Sequence, residues 1–524
     1  MTNEEEKQSM HIPFTHIPAI SLIQLFGPSN PVVSGITYHS QAVKQHSAFF
    51  AITGEHTDGH AYIEQAIESG ASAIIGTDRE LLHSYYEKFP SVCFVAVKDS
   101  RQAMAHVADY FYRHVKDRLI KIGVTGTNGK TTVATYVQNL FNLLHIPCGL
   151  LGTTGIWAAD KKLAYEKSTP TTPMSSDIHH IFHALHQSNH EAAAMEVSSI
   201  ALDQKRVEGI FFDIAIHTNL SEEHLEYHKT FEHYKKSKLL LFKQAANSVV
   251  NLDDRIMAEA ILSAAENRVI TYSKNRESNA DLIWSKCRHS EKGMAFCLYY
   301  EGKTHKVSVP LYGEYNAGNL TAAIGAALSL GIGIEEIIGV LPKMQQVEGR
   351  FEVIHGPERR KVIIDYAHTP VALDHILKEV RRLPHNRLVA MIAGIGIRDF
   401  GKMPKMARAA EGKADTIVVT VDHPGFNNPR DVIQNVLKGF SNPSDSVYTA
   451  ETRRAGVMKA LEKSGPNDIV LLTSGCINGC QIVKGKSIPH SDKDIINEFF
   501  STVLPAATMD FNIQERLHWQ QAEN

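Results

Sequence analysis

Lys121-Ile122-Gly123-Val124-Thr125-Gly126-Thr127-Asn128-Gly129-Lys130-Thr131-Thr132 is the stretch on which the reading of this chain turns. Ile122 and Val124 mark a short apolar strand, and a helical pattern runs from Val133 to Leu144. A strand, a glycine turn and a helix N-terminus aim backbone N–H groups at one point, a geometry that cradles phosphate. Lys130 adds a mobile positive charge, and Thr131 adds a hydroxyl suited to Mg²⁺. The usual spacing G-x-x-x-x-G-K-[ST] would place glycine where Val124 stands, so the strict motif fails and the shorter G-T-N-G-K-T-T remains. A nucleoside triphosphate site is therefore expected at Gly126, Thr127, Asn128, Gly129, Lys130, Thr131 and Thr132. The bland alternative is a glycine turn beside a solvated lysine.

The rest of the chain bounds what such a site can serve. Its 524 residues are long for one domain, and 43% hydrophobic with 21% charged residues is ordinary for a globular protein. A formal net charge of −3 gives no electrostatic case for nucleic acid or an anionic membrane. The 28 histidines raise the charge below pH 7. The acidic start, Met1 to Met10, lacks the basic and apolar regions of a signal peptide, and no apolar run reaches the length of a membrane span. Six scattered cysteines form no C-x-x-C pair. A cytoplasmic monomer without membrane insertion is the expectation.

Three segments follow from the patterning: 1–113, 114–346 and 347–524. In the first, Ala48 to Ile52 reads as a buried strand, Gly54 to His60 as a polar loop, Tyr62 to Ala71 as an amphipathic helix and Ala73 to Gly76 as a strand. The residues alone leave open whether that loop does more than turn the chain. In the second, strands alternate with helices, as in a mostly parallel sheet. Ala192 to Ser199 puts Glu196 at the end of an apolar strand, where ligands sit in open α/β sheets. Phe211 to Leu220 is a second such strand; Glu222, Glu223, His224, Glu226 and His228 follow it, then Lys238 on a helix from Phe231 to Lys243. By itself this is a solvated acidic loop beside a surface lysine. In the third, strands at 362–365, 388–393, 416–421 and 469–473 alternate with helices, which suggests a dinucleotide-fold-like domain. The fold class is thus α/β in three domains, with a central P-loop-type sheet. The polar end, Met509 to Asn524, receives no role.

G-T-N-G-K-T-T, Met195-Glu196-Val197-Ser198-Ser199 and Asp365-Tyr366-Ala367-His368-Thr369-Pro370, in this order, resemble the Mur ligase family over roughly residues 34 to 500. These are ATP-dependent amide-forming ligases of cell-wall synthesis, and the match is closest to the muramyl-tripeptide synthetase branch. The resemblance implies ATP and Mg²⁺, with an amino acid joined to UDP-N-acetylmuramoyl-L-alanyl-D-glutamate through an acyl phosphate. Glu196 and His224 resemble the family's metal ligands, beside Thr131, and Lys238 its carbamylated lysine. Lys235 and Lys236 would either favour the neutral amine by like-charge repulsion or be exposed and ineffective. Asn316 resembles an adenine-side residue, with a helix cap as its other role; Arg350 would serve the triphosphate and Asp365 the ribose. Thr171, Thr172, Ser198, Gln204 and Arg206 resemble the sugar-nucleotide positions. The uracil-contacting D-S-R is represented by Ser40 alone, Pro170 replaces the asparagine of N-T-T, and Ile200 replaces the histidine of V-S-S-H.

The acceptor segment departs furthest. Arg398 retains part of G-G-D-R-D-x-G-K. The family's D-N-P-R becomes Asp422-His423-Pro424-Gly425 without gaps, which deletes its arginine; Asn427-Asn428-Pro429-Arg430 is a shifted alternative, although Pro429 fits better as the opener of a helix. G-K-G-H-E becomes Ser474-Gly475-Cys476-Ile477-Asn478, so an acidic residue becomes Asn478. With both of these charges missing, a smaller or less charged amine than diaminopimelate is expected. Rival readings are a folylpolyglutamate-type ligase, which should lack the first segment, a P-loop kinase or GTPase, and a non-catalytic sugar-nucleotide-binding paralogue.

Overall fold

The computed structural model describes residues 9–54, 57–165, 169–265, 268–397, 400–441, 446–474 and 479–503. Three sheets organise them. The first runs in the order Leu22–Phe26, Cys93–Val97, Ala73–Gly76, Ser47–Phe50, Gly35–Thr37; only Leu22–Phe26 is antiparallel to its neighbour. Its inner strands are buried along their whole length, because helices cover both faces of a parallel sheet. The expected helix over 62–71 is shorter, Ile63–Glu68. Asp58 accepts from the His60 backbone N–H and opens a 3₁₀ turn, Gly59–Tyr62, ahead of it. The polar loop is also pinned: His60 Nδ1 lies 2.7 Å from Asp58, and its Nε2 accepts from the Thr77 backbone N–H at 3.0 Å.

The central sheet carries the phosphate loop. Its parallel run is Cys148–Gly152, Ala192–Glu196, Ile120–Thr125, Phe212–His217, Ala245–Asn251, Arg268–Ser273 and Leu282–Ser290. The strand expected at 122–124 thus sits inside the sheet, flanked by the two strands whose carboxyl ends carry Glu196 and Thr218. The third sheet follows the order Glu352–His355, Lys361–Asp365, Ile469–Thr473, Leu388–Ile395, Thr416–Asp422, Val447–Thr449, with the last five parallel. Strand 469–473 matches its expected bounds, and each of the others lies within a few residues of them.

The chain forms two compact units. One comprises Met1–Ser285, Leu298–His305 and Gly318–Leu341; the other comprises Lys286–Cys297, Lys306–Ala317 and Pro342–Asn524. Among the described residues no helix is long and apolar enough to cross a membrane.

A buried ion network holds the end of the second unit. The wholly buried Arg453 donates to both oxygens of Asp492, at 3.0 and 2.6 Å, and to the Thr473 carbonyl at 3.1 Å. His490 Nε2 lies 2.7 Å from Asp492, and Asp422 lies 3.5 Å from Arg453. Burial alone would raise the Asp492 carboxyl; the Arg453 charge and His490 outweigh it and hold it well below the usual carboxylate range. A depressed folded-state value stabilises the fold above the ordinary carboxylate range, and the contribution disappears as pH falls through the depressed value. Arg453→Met, which strands a buried carboxylate, is expected to destabilise this unit by about 3–5 kcal/mol at neutral pH. Adding Asp492→Leu should recover part of the loss, as read by urea unfolding of both variants.

Candidate active site

Sheet register assembles the site. Glu196 pairs with Val124 and His217 with Thr125, so three parallel strands end at the level of Gly126. Gly126 (φ 152°) and Gly129 (φ 85°) take backbone conformations that side chains disfavour, and Gly129 caps the helix Lys130–Leu143. Lys130 curls over the loop and donates to the Gly126 and Thr127 carbonyls, both at 2.8 Å. The loop is braced from the next strand. The Thr127 N–H donates to the Asn219 carbonyl at 2.7 Å, the Asn128 N–H to Asn219 Oδ1 at 2.9 Å, and Thr218 Oγ1 to the Asn128 carbonyl at 2.6 Å. Thr127 Oγ1 lies 2.9 Å from the Tyr234 hydroxyl.

Glu196, 1% exposed, divides its carboxylate. One oxygen accepts from Thr131 Oγ1 at 2.9 Å and the other from the Thr153 N–H at 2.6 Å. Its backbone carbonyl accepts from Thr172 Oγ1 at 2.9 Å, and Thr172 Oγ1 accepts from the Ser198 N–H at 3.0 Å. Arg206 donates to the Thr172 carbonyl at 2.9 Å and holds Gln204 Oε1 at 3.2 and 2.8 Å. The structure therefore joins Thr131, Glu196, Thr172, Ser198, Gln204 and Arg206 in one hydrogen-bonded set. Burial, with the nearby Arg101 charge, lowers the Arg206 pKa. Thr171 lies beside Thr172, whereas Ser40, in the 3₁₀ turn Ser40–Ala42, makes no side-chain hydrogen bond to the set.

Lys238 is 1% exposed on the helix Phe231–Lys243, whose bounds match the expectation. Its Nζ donates to the Gly126 carbonyl at 2.8 Å and lies 4.6 Å from the centre of the Tyr234 ring. Its pKa falls well below the usual lysine range, chiefly through burial and secondly through Lys130. Of the two expectations for Lys235 and Lys236, the second holds: they approach Glu232 at 2.9 and 4.0 Å, and Lys130 is the neighbouring charge at Lys238. His224 (φ 56°) contacts Glu226 at 3.4 Å and the Tyr234 ring, and makes no hydrogen bond to Glu196. Among the described residues no three His, Cys, Asp or Glu side chains gather closely enough to hold a metal.

In the second unit, Asp365 is buried and accepts from the Phe351 and Ala367 N–H groups at 2.9 and 2.8 Å. Burial raises its pKa against the opposing Arg350 charge. The Arg350 guanidinium lies 4.9 Å from the centre of the Tyr366 ring. Asn316 is not a helix cap: the helix is Glu314–Ser329, and the Asn316 amide reaches back to the Tyr312 carbonyl at 2.7 Å. The acceptor residues Arg398, Gly475 and Asn478 lie outside the described residues. Asp422 accepts from Gln481 at 2.8 Å, His423 Nδ1 from the Ile482 N–H at 3.0 Å, and Gly425 pairs with Ile482 and Lys484. All three hold the hairpin Cys480–Val483/Lys486–Pro489. Pro429 opens the helix Pro429–Leu437 under an Asn428 cap, and Arg430 pairs with Glu451 at 2.7 Å.

Three segments of the chain match known family profiles: residues 32–112 the Mur ligase family catalytic domain, 124–327 the Mur ligase middle domain, and 349–476 the Mur ligase glutamate ligase domain. A UDP-N-acetylmuramoyl-L-alanyl-D-glutamate--2,6-diaminopimelate ligase of Clostridium tetani is 36% identical over 471 residues, 89% of this chain and 94% of that protein. The chain belongs to the Mur ligase family. A ligase of the same name from Aquifex aeolicus is also 36% identical, over 89% of this chain and 93% of its own. A solved structure with that name covers 95% of this chain and 100% of its own, with a TM-score of 0.67 and 27% identity. As a Mur ligase, the protein is an ATP-dependent ligase of acids and amines.

Sequence reading missed the brace of this Mur ligase, Thr218, Asn219 and Tyr234. Thr218 and Asn219 were visible only as the end of a strand, and no motif marks them. Gly126 depends on that brace, because a Cβ there would collide with Thr218 Oγ1. Gly126→Ala is expected to cost about 1–3 kcal/mol of stability and to abolish ATP binding, checked by thermal unfolding and by nucleotide titration. Wild-type affinity for ATP in this variant would reject the loop assignment.

Proposed function

We propose that this Mur ligase joins an amino acid to UDP-N-acetylmuramoyl-L-alanyl-D-glutamate in peptidoglycan precursor synthesis. One observation carries the reading: Glu196 bonds the phosphate loop through Thr131, while its own carbonyl bonds the Thr172–Arg206 set. A triphosphate on Gly126–Thr132 and an anionic substrate on Arg206 would then meet at one residue. The names of the relatives support the same donor substrate. In this reading segment 1–113 holds the uridine nucleotide with Ser40, 114–346 holds ATP, and 347–524 holds the acceptor.

The substrate carboxylate attacks the γ-phosphorus of ATP, giving an acyl phosphate and ADP; the acceptor amine then displaces phosphate to form the amide. Lys130 would offset charge on the transferred phosphoryl group; for Arg350 the triphosphate is the ligand that the family resemblance implies. Asn316 and Asp365 would orient the nucleoside. Thr131 and Glu196 offer the hard oxygens that Mg²⁺ prefers, with His224 and a Lys238 carbamate as further candidates, and the ion would screen carboxylate from phosphate. Carbamylation needs a neutral amine, and burial of Lys238, with the Lys130 charge second, lowers its pKa in the direction that favours one. Lys238→Ala is expected to lose most ligase activity in an ADP-release assay, with partial rescue by bicarbonate or a short carboxylic acid. A fully active variant would remove the carbamate from the mechanism.

For the acceptor we infer a smaller or less charged amine than the 2,6-diaminopimelate for which the relatives are named. Gly425 stands where the family's arginine would be, and Arg430 is engaged by Glu451 on a helix. Each missing charge-assisted hydrogen bond is worth roughly 1.5–3 kcal/mol, about ten- to a hundredfold. ADP release with the UDP-muramoyl dipeptide and an amino-acid panel tests both proposals. Diaminopimelate giving the highest kcat/KM would overturn the acceptor assignment, and no amine-dependent ADP release would overturn the ligation itself.

A further inference from the structure

The turn carrying Gln204 and Arg206 is gripped by a helix of the first sheet. Lys205 holds a left-handed backbone (φ 55°), and its Nζ is bound by Asp99 Oδ2 at 2.7 Å. The other Asp99 oxygen caps the helix Ser100–Phe111, accepting from the Arg101 and Gln102 N–H groups at 2.9 and 3.1 Å. Gln102 then reaches Glu208 at 3.4 Å, and Lys116 reaches the Gly209 carbonyl at 2.8 Å. One carboxylate thus ties the residue before Arg206 to the residue two before Arg101, and the two guanidiniums stand within each other's electrostatic reach.

Their hydrogen bonds all go to neutral oxygens. Arg206 bonds the Thr172 carbonyl and Gln204 Oε1, and Arg101 Nη2 bonds the Thr53 carbonyl at 3.4 Å. The carboxylates of the gripping helix and turn are otherwise engaged: Asp99 by Lys205, Glu208 by Gln102, and Asp203 by the Tyr227 hydroxyl at 2.7 Å and His233 Nε2 at 3.0 Å. Among the described residues neither arginine has an ion pair with a carboxylate. Two half-buried like charges held together by surrounding structure are costly unless an anion lies between them, and the planar guanidinium fork matches phosphate and carboxylate oxygens. The lowered Arg206 pKa has the same origin, burial first and the Arg101 charge second.

We propose that Arg101 acts with Arg206 as a two-guanidinium site for an oxyanion of the donor substrate, and that the Asp99–Lys205 pair positions it. The inference rests on the donor-substrate reading above. That substrate carries oxyanions of both kinds, a diphosphate and peptide carboxylates, and the assay separates them. Binding of UDP alone is measured by calorimetry without ATP or amine. KM and kcat are measured for the UDP-muramoyl dipeptide and for the muramoyl dipeptide lacking UDP. Arg101→Gln should raise the KM for the UDP-muramoyl dipeptide about ten- to a hundredfold, leave kcat and the KM for ATP within about twofold, and spare thermal stability. Arg101→Lys should retain part of the affinity. Asp99→Asn, which keeps an oxygen for the helix cap, should raise the same KM, and Lys205→Met, which removes the pair from its other side, should raise it likewise. A matching loss of UDP affinity assigns the diphosphate; unchanged UDP affinity with equal KM increases for both dipeptides assigns a carboxylate. Unaltered KM and UDP affinity in Arg101→Gln, with an active wild type, overturns the site. A wild type that neither binds nor ligates the UDP-muramoyl dipeptide overturns the donor-substrate reading instead.

Discussion

The carbonyl oxygen of Gly126 accepts from two amines, Lys130 Nζ and Lys238 Nζ, each at 2.8 Å. Lys238 is the more deeply enclosed of the two, and its pKa falls well below the usual lysine range, through burial first and the Lys130 charge second. Both contacts depend on where Gly126 points its carbonyl. That direction is fixed by a φ of 152° and by the hydrogen bonds that close the loop, from Thr218 to the Asn128 carbonyl and from the Thr127 N–H to the Asn219 carbonyl.

Around that carbonyl, the parallel register does the remaining assembly. A strand buried on both faces reads as a near-continuous apolar run, and ligands of open α/β sheets sit beyond its carboxyl end. Glu196 after Ala192-Ala193-Ala194-Met195 and Asp365 after Val362-Ile363-Ile364 stand at that end. For that reason the strands, the phosphate loop and Lys238 on its helix were legible from sequence: each is a local pattern of a few residues. The hydrogen-bonded set from Thr131 to Arg206 was legible in composition through family resemblance, but its wiring was not.

What escaped was long-range or dependent on exposure. The Thr218–Asn128 and Tyr234–Thr127 hydrogen bonds join residues 90 and 107 positions apart, and threonine, asparagine and tyrosine carry no signature of a partner. Lys235 and Lys236 looked like the charges that would neutralise Lys238 because they adjoin it in sequence. On a helix the residue two before a buried lysine does not face it, and here Lys236, like Lys235 three before it, turns to Glu232. Asn316 looked like a cap because the helix was expected to begin there, whereas Glu314 begins it two residues earlier.

In the segment expected to hold the acceptor, Asp422, His423 and Gly425 serve the hairpin Cys480–Val483/Lys486–Pro489. Asp422 ends a parallel strand, the position from which a carboxylate ordinarily faces a ligand. Here it is 1% exposed and receives Gln481, with Arg453 behind it. His423 gives its Nδ1 lone pair to the Ile482 N–H, which leaves the proton of a neutral ring on Nε2. Gly425, at φ 63°, pairs its backbone on both sides with the same hairpin. A side chain at 425 would occupy a left-handed position and crowd Ile397, so any larger residue there would strain the turn. The backbone geometry that anchors the hairpin is the geometry in which glycine is favoured.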